Sequence, residues 1–410
     1  MKSIFSKFFM IIAFLIIYNL SFNINNCKSQ WVQCNGIGTN QFVYSFTLLG
    51  NNIFAGTSQY GVYVSTDNGA NWSQTSLNNK FIYSLTIAGN NIIAGSQYAT
   101  YRSTNNGTSW IQTNLGNYYS VVSLATYGNN VFAGTNGDGI YISTNFGASW
   151  NITTISNQYV YSFATLGNYI FAGIGESGVF YSTNNGSNWI QTSFNNHTAQ
   201  ALTTIGNNIF AGTIGYGVYL STNYGANWTQ TTLNDKTVYS LAASENNIFA
   251  GIYYISTGSG GVFLSTNNGA NWINKNQGFT VIPSVVALLT ANNYIFAGTY
   301  EHSAWRRTYS EILVINKISK IVPVKCSLKQ NYPNPFNPTT TIRYEIPKNS
   351  SVKLVIFDVL GREVETLVDE KQTAGTYEAT FNASQYSSGV YFYKLTTDNF
   401  SETKKMLLIK

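Results

Sequence analysis

Charged residues are scarce in this sequence. Asp, Glu, Lys and Arg together make up 9% of its 410 residues, against about 25% in typical soluble proteins. Residues 31–305 contain only four basic side chains, those of Lys80, Arg102, Lys236 and Lys275. Because a nucleic-acid groove needs several Lys or Arg side chains to neutralise phosphates, we expect no nucleic-acid partner for this region.

Cysteine, proline and histidine are also rare, with three, six and two copies. So few cysteines and histidines provide neither the ligands of a structural zinc site nor the cysteine spacing of a disulfide framework. We therefore predict no metal site and no cofactor. We expect Cys34 and Cys326 to be isolated thiols, with a disulfide between them as the alternative.

Only the N-terminus contains a long hydrophobic run. Residues 8–18 are all apolar, follow Lys2 and Lys7, and are too few to span a bilayer as a mature helix. This pattern predicts a cleaved secretory signal peptide over residues 1–30, with a membrane anchor or a lipoprotein site at Cys27 as the alternatives. We expect no membrane-spanning segment in the mature chain.

Aromatic residues are abundant, with 30 Tyr and 25 Phe, a composition that favours β-strands. An Ala-Gly pair recurs every 39 residues for five steps and after 47 residues for the last. Repeats of this length are typical of four-stranded propeller blades, whereas shorter repeats such as ankyrin are helical. The alanines of these pairs are Ala55, Ala94, Ala133, Ala172, Ala211, Ala250 and Ala297.

Each unit contains four short segments rich in β-branched and aromatic residues. In the unit that starts at Val160 they are residues 160–165, 169–173, 178–182 and 189–193, separated by turns rich in Gly and Asn. Seven such units predict an all-β chain in which residues 31–308 form a seven-bladed β-propeller.

The third turn of six units has a common sequence, which in the first unit is Ser-Thr-Asp-Asn-Gly-Ala-Asn-Trp. It resembles the Asp-box, or bacterial neuraminidase repeat. A side-chain oxygen at the third position can accept backbone N–H bonds, and glycine takes a positive φ without steric cost. Five copies have Asn instead of Asp and so lack the carboxylate that hard cations prefer, which predicts a structural role. The motif residues are Asp67, Gly69, Trp72, Asn105, Gly107, Trp110, Asn145, Gly147, Trp150, Asn184, Gly186, Trp189, Asn223, Gly225, Trp228, Asn267, Gly269 and Trp272.

The two ends of the repeat array are complementary. The chain after Trp31 reads like the segment that follows a box tryptophan, and the last unit has no box and ends near Trp305. We therefore predict that residues 31–34 pair with residues 304–308 as the missing fourth strand, which closes the ring and leaves no open strand edge.

The C-terminal part differs in composition and motifs. Residues 309–327 are predicted as a linker, and the segment from Tyr332 to Pro338 together with later glycines resembles the C-terminal sorting domain of the type IX secretion system, here residues 328–410. Alternating apolar positions in 352–358 and 390–396 independently indicate a small Ig-like β-sandwich. The motif residues are Tyr332, Pro333, Asn334, Pro335, Phe336, Asn337, Pro338, Gly361 and Gly389.

The resemblance implies that this domain directs the protein for export. Such a domain is read by an outer-membrane export machine, which would be the partner of this part of the chain. The protein would be released from, or attached to, the surface of a Gram-negative bacterium of the Bacteroidetes–Chlorobi group. A sandwich that serves only for ligand binding is the alternative.

An enzyme is the second candidate function. The resemblance to sialidases would require three arginines around a carboxylate, but residues 31–305 contain Arg102 alone. Another glycoside hydrolase would need two facing carboxyl groups, and Asp138 and Glu176, in equivalent turns of adjacent units, are the candidate pair, with Glu301 in the same turn of the last unit. His197 and His302 stand outside any nucleophile motif.

Binding without catalysis is the first candidate. A nearly neutral surface rich in Tyr, Asn, Thr and Gln suits a neutral glycan, whose rings stack on aromatic faces, or another protein. Tyr60, Tyr98 and Tyr216 occupy turns between the second and third strands and are predicted ligand contacts. The sequence therefore predicts a secreted or cell-surface, monomeric, non-enzymatic binding protein, which resembles photosystem II assembly factors in its propeller layout.

Overall fold

The computed structural model describes residues 30–113, 115, 120–254, 260–309, 312, 316–319, 323–383 and 386–410. They form two compact units, of which the first is Trp31–Tyr309 and the second lies within Ser310–Lys410. The predicted signal peptide lies outside the described residues, except for Gln30. No helix among the described residues is long and apolar enough to cross a membrane.

The first unit consists of seven four-stranded antiparallel sheets, numbered here as blades 1 to 7. Blades 1 to 6 each use four consecutive strands, from the centre outward. The closing strand is β1 (Val32–Gln33), and blade 1 consists of β2 (Val43–Leu49), β3 (Asn52–Thr57), β4 (Gly61–Ser65) and β5 (Ser73–Gln74). Blade 2 consists of β6 (Ile82–Ala88), β7 (Asn91–Ser96), β8 (Thr100–Ser103) and β9 (Ile111–Thr113). Blade 3 consists of β10 (Val121–Tyr127), β11 (Asn130–Thr135), β12 (Gly139–Ser143) and β13 (Asn151–Ser156).

Blades 4 to 7 continue the same order. Blade 4 consists of β14 (Val160–Leu166), β15 (Tyr169–Ile174), β16 (Gly178–Ser182) and β17 (Ile190–Gln191), and blade 5 of β18 (Ala199–Ile205), β19 (Asn208–Thr213), β20 (Val218–Ser221) and β21 (Thr229–Gln230). Blade 6 consists of β22 (Thr237–Ser244), β23 (Asn247–Tyr253), β24 (Gly261–Ser265) and β25 (Ile273–Asn274). Blade 7 contains β26 (Ser284–Ala291), β27 (Tyr294–Tyr300) and β28 (Ala304–Thr308). The seven-bladed all-β prediction is confirmed.

The outermost strand of blade 4 is shorter than predicted. The expected segment was 189–193, whereas β17 contains only Ile190 and Gln191. Trp189 instead turns inward, where its ring meets that of Phe132 from blade 3 edge-on at 6.2 Å. Burial of this large aromatic surface between blades outweighs one more rung of a solvent-facing edge strand.

The second strand of each blade is almost fully buried, because neighbouring blades cover both of its faces. This explains the Ala-Gly repeat. A Cβ atom on Gly56 would lie 2.7 Å from the Ile82 side chain of blade 2, and one on Gly298 would lie 2.5 Å from the Val43 carbonyl oxygen of blade 1. Glycine is required here because the innermost strand of the next blade approaches this closely.

The ring closes as predicted. Each innermost strand contacts the innermost strands of both neighbouring blades, including β26 with β2. β1 supplies the fourth strand of blade 7, with Val32 opposite Arg306 and Gln33 opposite Trp305. Trp31 is buried, stacks on Phe279 at 4.9 Å and donates from Nε1 to the Lys275 carbonyl oxygen at 2.7 Å. The N-terminal strand is thereby anchored by an aromatic side chain as well as by its backbone.

The second unit is a sandwich of two four-stranded sheets, with strand orders β29-β34-β31-β30 and β33-β32-β35-β36. Its core includes the fully buried Tyr344, Phe381 and Tyr393. The predicted β-sandwich is confirmed. The strands are β29 (Asn316–Ser319), β30 (Ser327–Leu328), β31 (Thr339–Ile346), β32 (Ser350–Phe357), β33 (Glu363–Gln372), β34 (Gly375–Asn382), β35 (Gly389–Thr397) and β36 (Phe400–Leu408).

Part of the segment assigned to the linker is a strand of the sandwich. β29 lies within residues 309–327 and is an edge strand that pairs with β34, with Asn316 opposite Glu378. A four-residue strand has too few residues to show a two-residue period, and its partner β34 lies some sixty residues further along the chain. Local sequence therefore carries no signal for this pairing.

Candidate functional site

The six boxes share one hydrogen-bond pattern. In blade 1, Ser65 Oγ donates to Asp67 Oδ1 at 2.9 Å, and the Gly69 N–H donates to Ser65 Oγ at 2.8 Å. The Asn71 N–H and side-chain amide donate to the two Asp67 carboxylate oxygens at 2.9 and 2.8 Å. Trp72 Nε1 donates to the Gly69 carbonyl oxygen and closes the turn. The bonds of the serine, the third residue and the glycine recur in all six boxes, whereas Trp150 and Trp272 donate from Nε1 to Thr113 Oγ1 and Thr231 Oγ1 instead.

Asparagine reproduces this turn without the charge. Asn105 Oδ1 accepts from Ser103 Oγ at 3.1 Å and from the Ser109 N–H at 2.9 Å, and Gly107 donates to Ser103 as in the first box. Because the acceptor geometry is kept when Asp is replaced by Asn, the arrangement supports a structural role for the boxes. Among the described residues, no three His, Cys, Asp or Glu side chains cluster in a way that could hold a metal ion.

One residue of the box turn was not anticipated. The position before the box glycine also has a positive φ, between 53° and 57°, in all six copies. Asn occupies it in blades 1, 2, 4 and 6, but Phe146 and Tyr224 occupy it in blades 3 and 5. Asparagine adopts this conformation more readily than large aromatic residues, so the fold imposes it on Phe146 and Tyr224.

Each box glycine packs on the preceding blade. A Cβ atom on Gly186 would lie 2.4 Å from the ring of Phe132, and one on Gly69 would lie at the same distance from Phe296. Blade 7 has no box, and Tyr309 takes the corresponding place against Phe249 of blade 6, with ring centroids 5.8 Å apart. Each box therefore packs its blade against the preceding blade.

The predicted ligand contacts lie on the opposite face, called here the turn face because it carries the turns between second and third strands. Tyr60, Tyr98 and Tyr216 are 42%, 56% and 52% exposed. They belong to blades 1, 2 and 5, and no ring contact joins them in the described part of the chain. The structure thus presents three separate aromatic side chains.

Two of these turns are braced from the outermost strand. Gln74 Nε2 donates to the Tyr60 carbonyl oxygen at 2.6 Å, and Gln230 Nε2 donates to that of Tyr216 at 2.9 Å. The Tyr216 ring also packs on that of His197, with centroids 4.3 Å apart. These side chains are therefore held on ordered turns, and His197 has a packing partner.

A β-bulge interrupts the innermost strand of every blade at its second or third residue, near the turn face. In blade 1, Val43 pairs with Thr57 and Ser45 with Gly56, so that Tyr44 has no partner in the ladder. A bulge redirects a side chain away from the regular pleat. The seven bulge residues are Tyr44, Tyr83, Val122, Tyr161, Gln200, Tyr239 and Val286.

Three bulge tyrosines belong to a continuous chain of rings, called here the aromatic arc. Its members, in order of contact, are Tyr83, Tyr44, Phe42, Tyr300, Tyr253 and Tyr239. Successive ring centroids lie between 4.1 and 6.1 Å apart. The arc crosses the neighbouring blades 2, 1, 7 and 6, and all six side chains are half-buried. It is therefore the largest joined aromatic surface described on the turn face.

The tyrosine hydroxyl groups of the arc have no hydrogen-bond partner among the described residues. Burial, and then the proximity of Tyr83 and Tyr300, raises the pKa of Tyr44. Burial followed by the proximity of Tyr253 raises the pKa of Tyr239 in the same way. In the described part of the chain, no hydrogen bond occupies the hydroxyl of any arc tyrosine. These groups can therefore donate to, and accept from, a ligand.

The two carboxyl groups predicted as a catalytic pair, those of Asp138 and Glu176, lie in different surroundings. Asp138 is half-buried and accepts a hydrogen bond from the hydroxyl of Tyr141 in its own blade. Glu176 is exposed on its turn. Among the described residues no hydrogen bond or ion pair links the two, and Glu301 is also exposed.

The two cysteines are free. Cys34 is buried, and burial raises its pKa to about 12, which keeps the thiol protonated and unreactive. Cys326 is partly exposed.

In the second unit, the proline-rich segment is built into the sandwich. Phe336 is buried in the core, and its N–H donates to the Leu407 carbonyl oxygen at 2.9 Å. Asn334 Oδ1 accepts from the Leu407 N–H at 2.9 Å. Tyr332, in contrast, is 82% exposed. The segment thus ties the last strand to the core and leaves one aromatic ring in solvent.

Gly361 lies in the loop between β32 and β33 with φ of +75°. Asp358 Oδ1 accepts the N–H groups of Leu360 and Arg362 at 2.9 and 3.0 Å. The tight loop requires the left-handed conformation that glycine adopts without strain. Gly389 begins β35.

Comparisons with known proteins agree with this architecture. Residues 330–410 match the secretion system C-terminal sorting domain, and residues 63–74 match the BNR/Asp-box repeat. YCF48 bound to a D1 peptide has a TM-score of 0.55 and 14% identity, with 70% of this chain and 98% of that chain covered. YCF48 from Cyanidioschyzon merolae also has a TM-score of 0.55 and 14% identity, covering 68% of this chain and 99% of that chain.

A further solved structure is an ancestral GH74 enzyme. It has 15% identity and a TM-score of 0.46, with 92% of this chain and 58% of that chain covered. A TM-score of this size supports no argument on activity. No curated protein matches this chain.

Proposed function

We propose that this chain, an Asp-box β-propeller followed by a type IX sorting domain, is a non-enzymatic binding protein that acts outside the cell or at its surface. The sorting domain marks the chain as cargo of the type IX secretion system. The propeller would then be the functional passenger. Its ligand would be a neutral glycan or another protein, held on the turn face.

The aromatic arc is the observation that carries this proposal. Six half-buried rings are joined in one surface whose tyrosine hydroxyls have no partner among the described residues. Surfaces that bind uncharged ligands combine apolar side chains with a few polar groups that are free to form hydrogen bonds. The exposed rings of Tyr60, Tyr98 and Tyr216 extend the same chemistry toward the rim of the turn face.

The hydrolase alternative has less support. A glycosidase needs one carboxyl group on each side of the scissile bond. Asp138 is half-buried and engaged by Tyr141, whereas Glu176 is exposed on its turn. The two carboxyl groups therefore lie in different surroundings, and no contact among the described residues brings them together.

The test separates binding from turnover. The mature full chain is incubated with a panel of soluble polysaccharides, and binding is measured by calorimetry while new reducing ends are counted. We expect binding without reducing ends, both in the wild type and in Glu176→Gln. Turnover by the wild type that Glu176→Gln or Asp138→Asn abolishes would replace the proposal with the hydrolase.

A further inference from the structure

The bulge residues differ between blades in a way that folding does not require. All seven blades form the bulge, yet the residue is Tyr in blades 1, 2, 4 and 6, Val in blades 3 and 7, and Gln in blade 5. Since Val and Gln form the same bulge, the backbone does not need tyrosine there. The tyrosines of blades 1, 2 and 6 therefore serve something other than the fold.

A second position shows the same asymmetry. The residue three positions after the alanine of the second strand is Tyr253 in blade 6 and Tyr300 in blade 7, but Ser58, Gln97 and Asn136 in blades 1 to 3. Both tyrosines belong to the arc, through their contacts with each other and with Tyr239 and Phe42. Aromatic residues from two repeat positions are thus concentrated on four adjacent blades, as one continuous surface.

The surface suits an extended, uncharged ligand. None of the six arc residues is charged. Adjacent rings 4.1 to 6.1 Å apart over four blades offer several contact points in succession. The six rings are half-buried, so each exposes part of its apolar surface to the C–H groups of a sugar, and each tyrosine hydroxyl can bond a sugar hydroxyl.

We infer that the aromatic arc binds a neutral polysaccharide chain, which lies across blades 6, 7, 1 and 2 and stacks successive sugar rings on it. This inference rests on the proposed binding function and names its ligand class and its site. The arc is the primary contact, and the exposed tyrosines on the rim are secondary.

The test uses variants that the fold already tolerates. Tyr83→Val and Tyr239→Val introduce the residue that blades 3 and 7 carry at the same bulge, and Tyr44→Phe removes only a hydroxyl. Tyr224→Ala, on a box turn of the opposite face, is the control because Tyr224 is 41% exposed. The probes are a soluble β-linked glucan, xylan and mannan, with an acidic polysaccharide as the charge control.

We expect one or more neutral polysaccharides to bind the mature full chain, with an affinity that does not change with salt. Each valine variant should lose about tenfold in affinity, and Tyr44→Phe roughly threefold to tenfold. Tyr224→Ala should bind like the wild type. Urea unfolding of every variant tests whether a lower affinity comes from a less stable fold.

Three results would overturn the inference and leave the binding function intact. One is polysaccharide binding that the arc variants retain but Tyr98→Ala or Tyr216→Ala lose. Another is binding of no polysaccharide, together with capture of a purified secreted protein on the turn face. Tighter binding of the acidic polysaccharide than of any neutral one would also contradict it.

Discussion

At the third position of the box, aspartate and asparagine support the same turn and differ only in charge. The Asp67 carboxylate accepts the backbone and side-chain N–H groups of Asn71 and the Ser65 hydroxyl, and these bonds lower its pKa to about 2. In Asn105 one amide oxygen accepts the equivalent bonds. The turn needs an acceptor, and the charge adds a dependence on pH.

The first prediction concerns this residue. Because the pKa of Asp67 is below its ordinary value of 3.8, its contribution to stability is present above that pH and is lost as the pH falls toward about 2. Asp67→Asn should unfold like the wild type near neutral pH but lack this loss in acid. Asp67→Ala should cost about 1 kcal/mol at neutral pH. Urea unfolding at several pH values measures both, and an asparagine variant as unstable as the alanine variant would contradict the account.

At the scale of the element, the box is a joint between two blades. Its glycine combines a positive φ with direct contact to the second strand of the preceding blade, and the tryptophan seals the turn. Gly186 has φ of +80° and lies against Phe132, whereas Gly206, in a hairpin of blade 5, has φ of +55° and open space around it. Both glycines have a positive φ, but only Gly186 is also in close contact with a neighbouring blade.

The second prediction compares these two glycines. Gly206→Ala should cost about 1 kcal/mol from the left-handed conformation alone. Gly186→Ala should cost ~2–4 kcal/mol, because the new methyl group also collides with the Phe132 ring. Chemical denaturation gives both values. Equal losses would mean that the box is a turn without a packing role.

For the whole molecule, ring closure joins the two ends of the propeller. The innermost strands form an unbroken ring, and β1 completes blade 7 from the opposite end of the unit. The pairing is only two residues long, and it is reinforced by the buried Trp31 side chain and by backbone bonds from Trp31 to Gln277 and from Cys34 to Ala304. Side-chain burial therefore supports closure alongside backbone hydrogen bonds.

The third prediction tests closure within one strand. Trp31→Ala should lower the free energy of unfolding by about 3–5 kcal/mol, because it empties a buried site between Phe279 and the Lys275 carbonyl group. Val32→Ala changes the adjacent, 55% exposed residue and should stay within about 0.5 kcal/mol. Thermal and urea unfolding of the full chain measure both variants. Similar stability of the two would show that β1 does not hold the ring.

Much of this architecture is encoded in local patterns. The fixed repeat, the turn residues and the box motif predict the blades, and the unmatched first and last segments predict the closing pairing. Local patterns failed where a partner strand is remote, as for β29. They also failed where a tryptophan packs against the neighbouring blade instead of extending an outer strand, as at Trp189. The site was also predicted incompletely: Tyr60, Tyr98 and Tyr216 are recognisable from their turns, but the arc is not.

The sequence by itself determined the repeat, its number of units and the near absence of charge, because these properties depend only on residue order and type. Only the tertiary structure decided which tyrosines meet. A β-bulge redirects Tyr44 and Tyr83, and closure of the ring brings blade 7 beside blade 1, so residues more than two hundred positions apart, such as Phe42 and Tyr300, become stacked neighbours. Convergence of this kind follows from the curvature of the whole ring, which no single repeat contains.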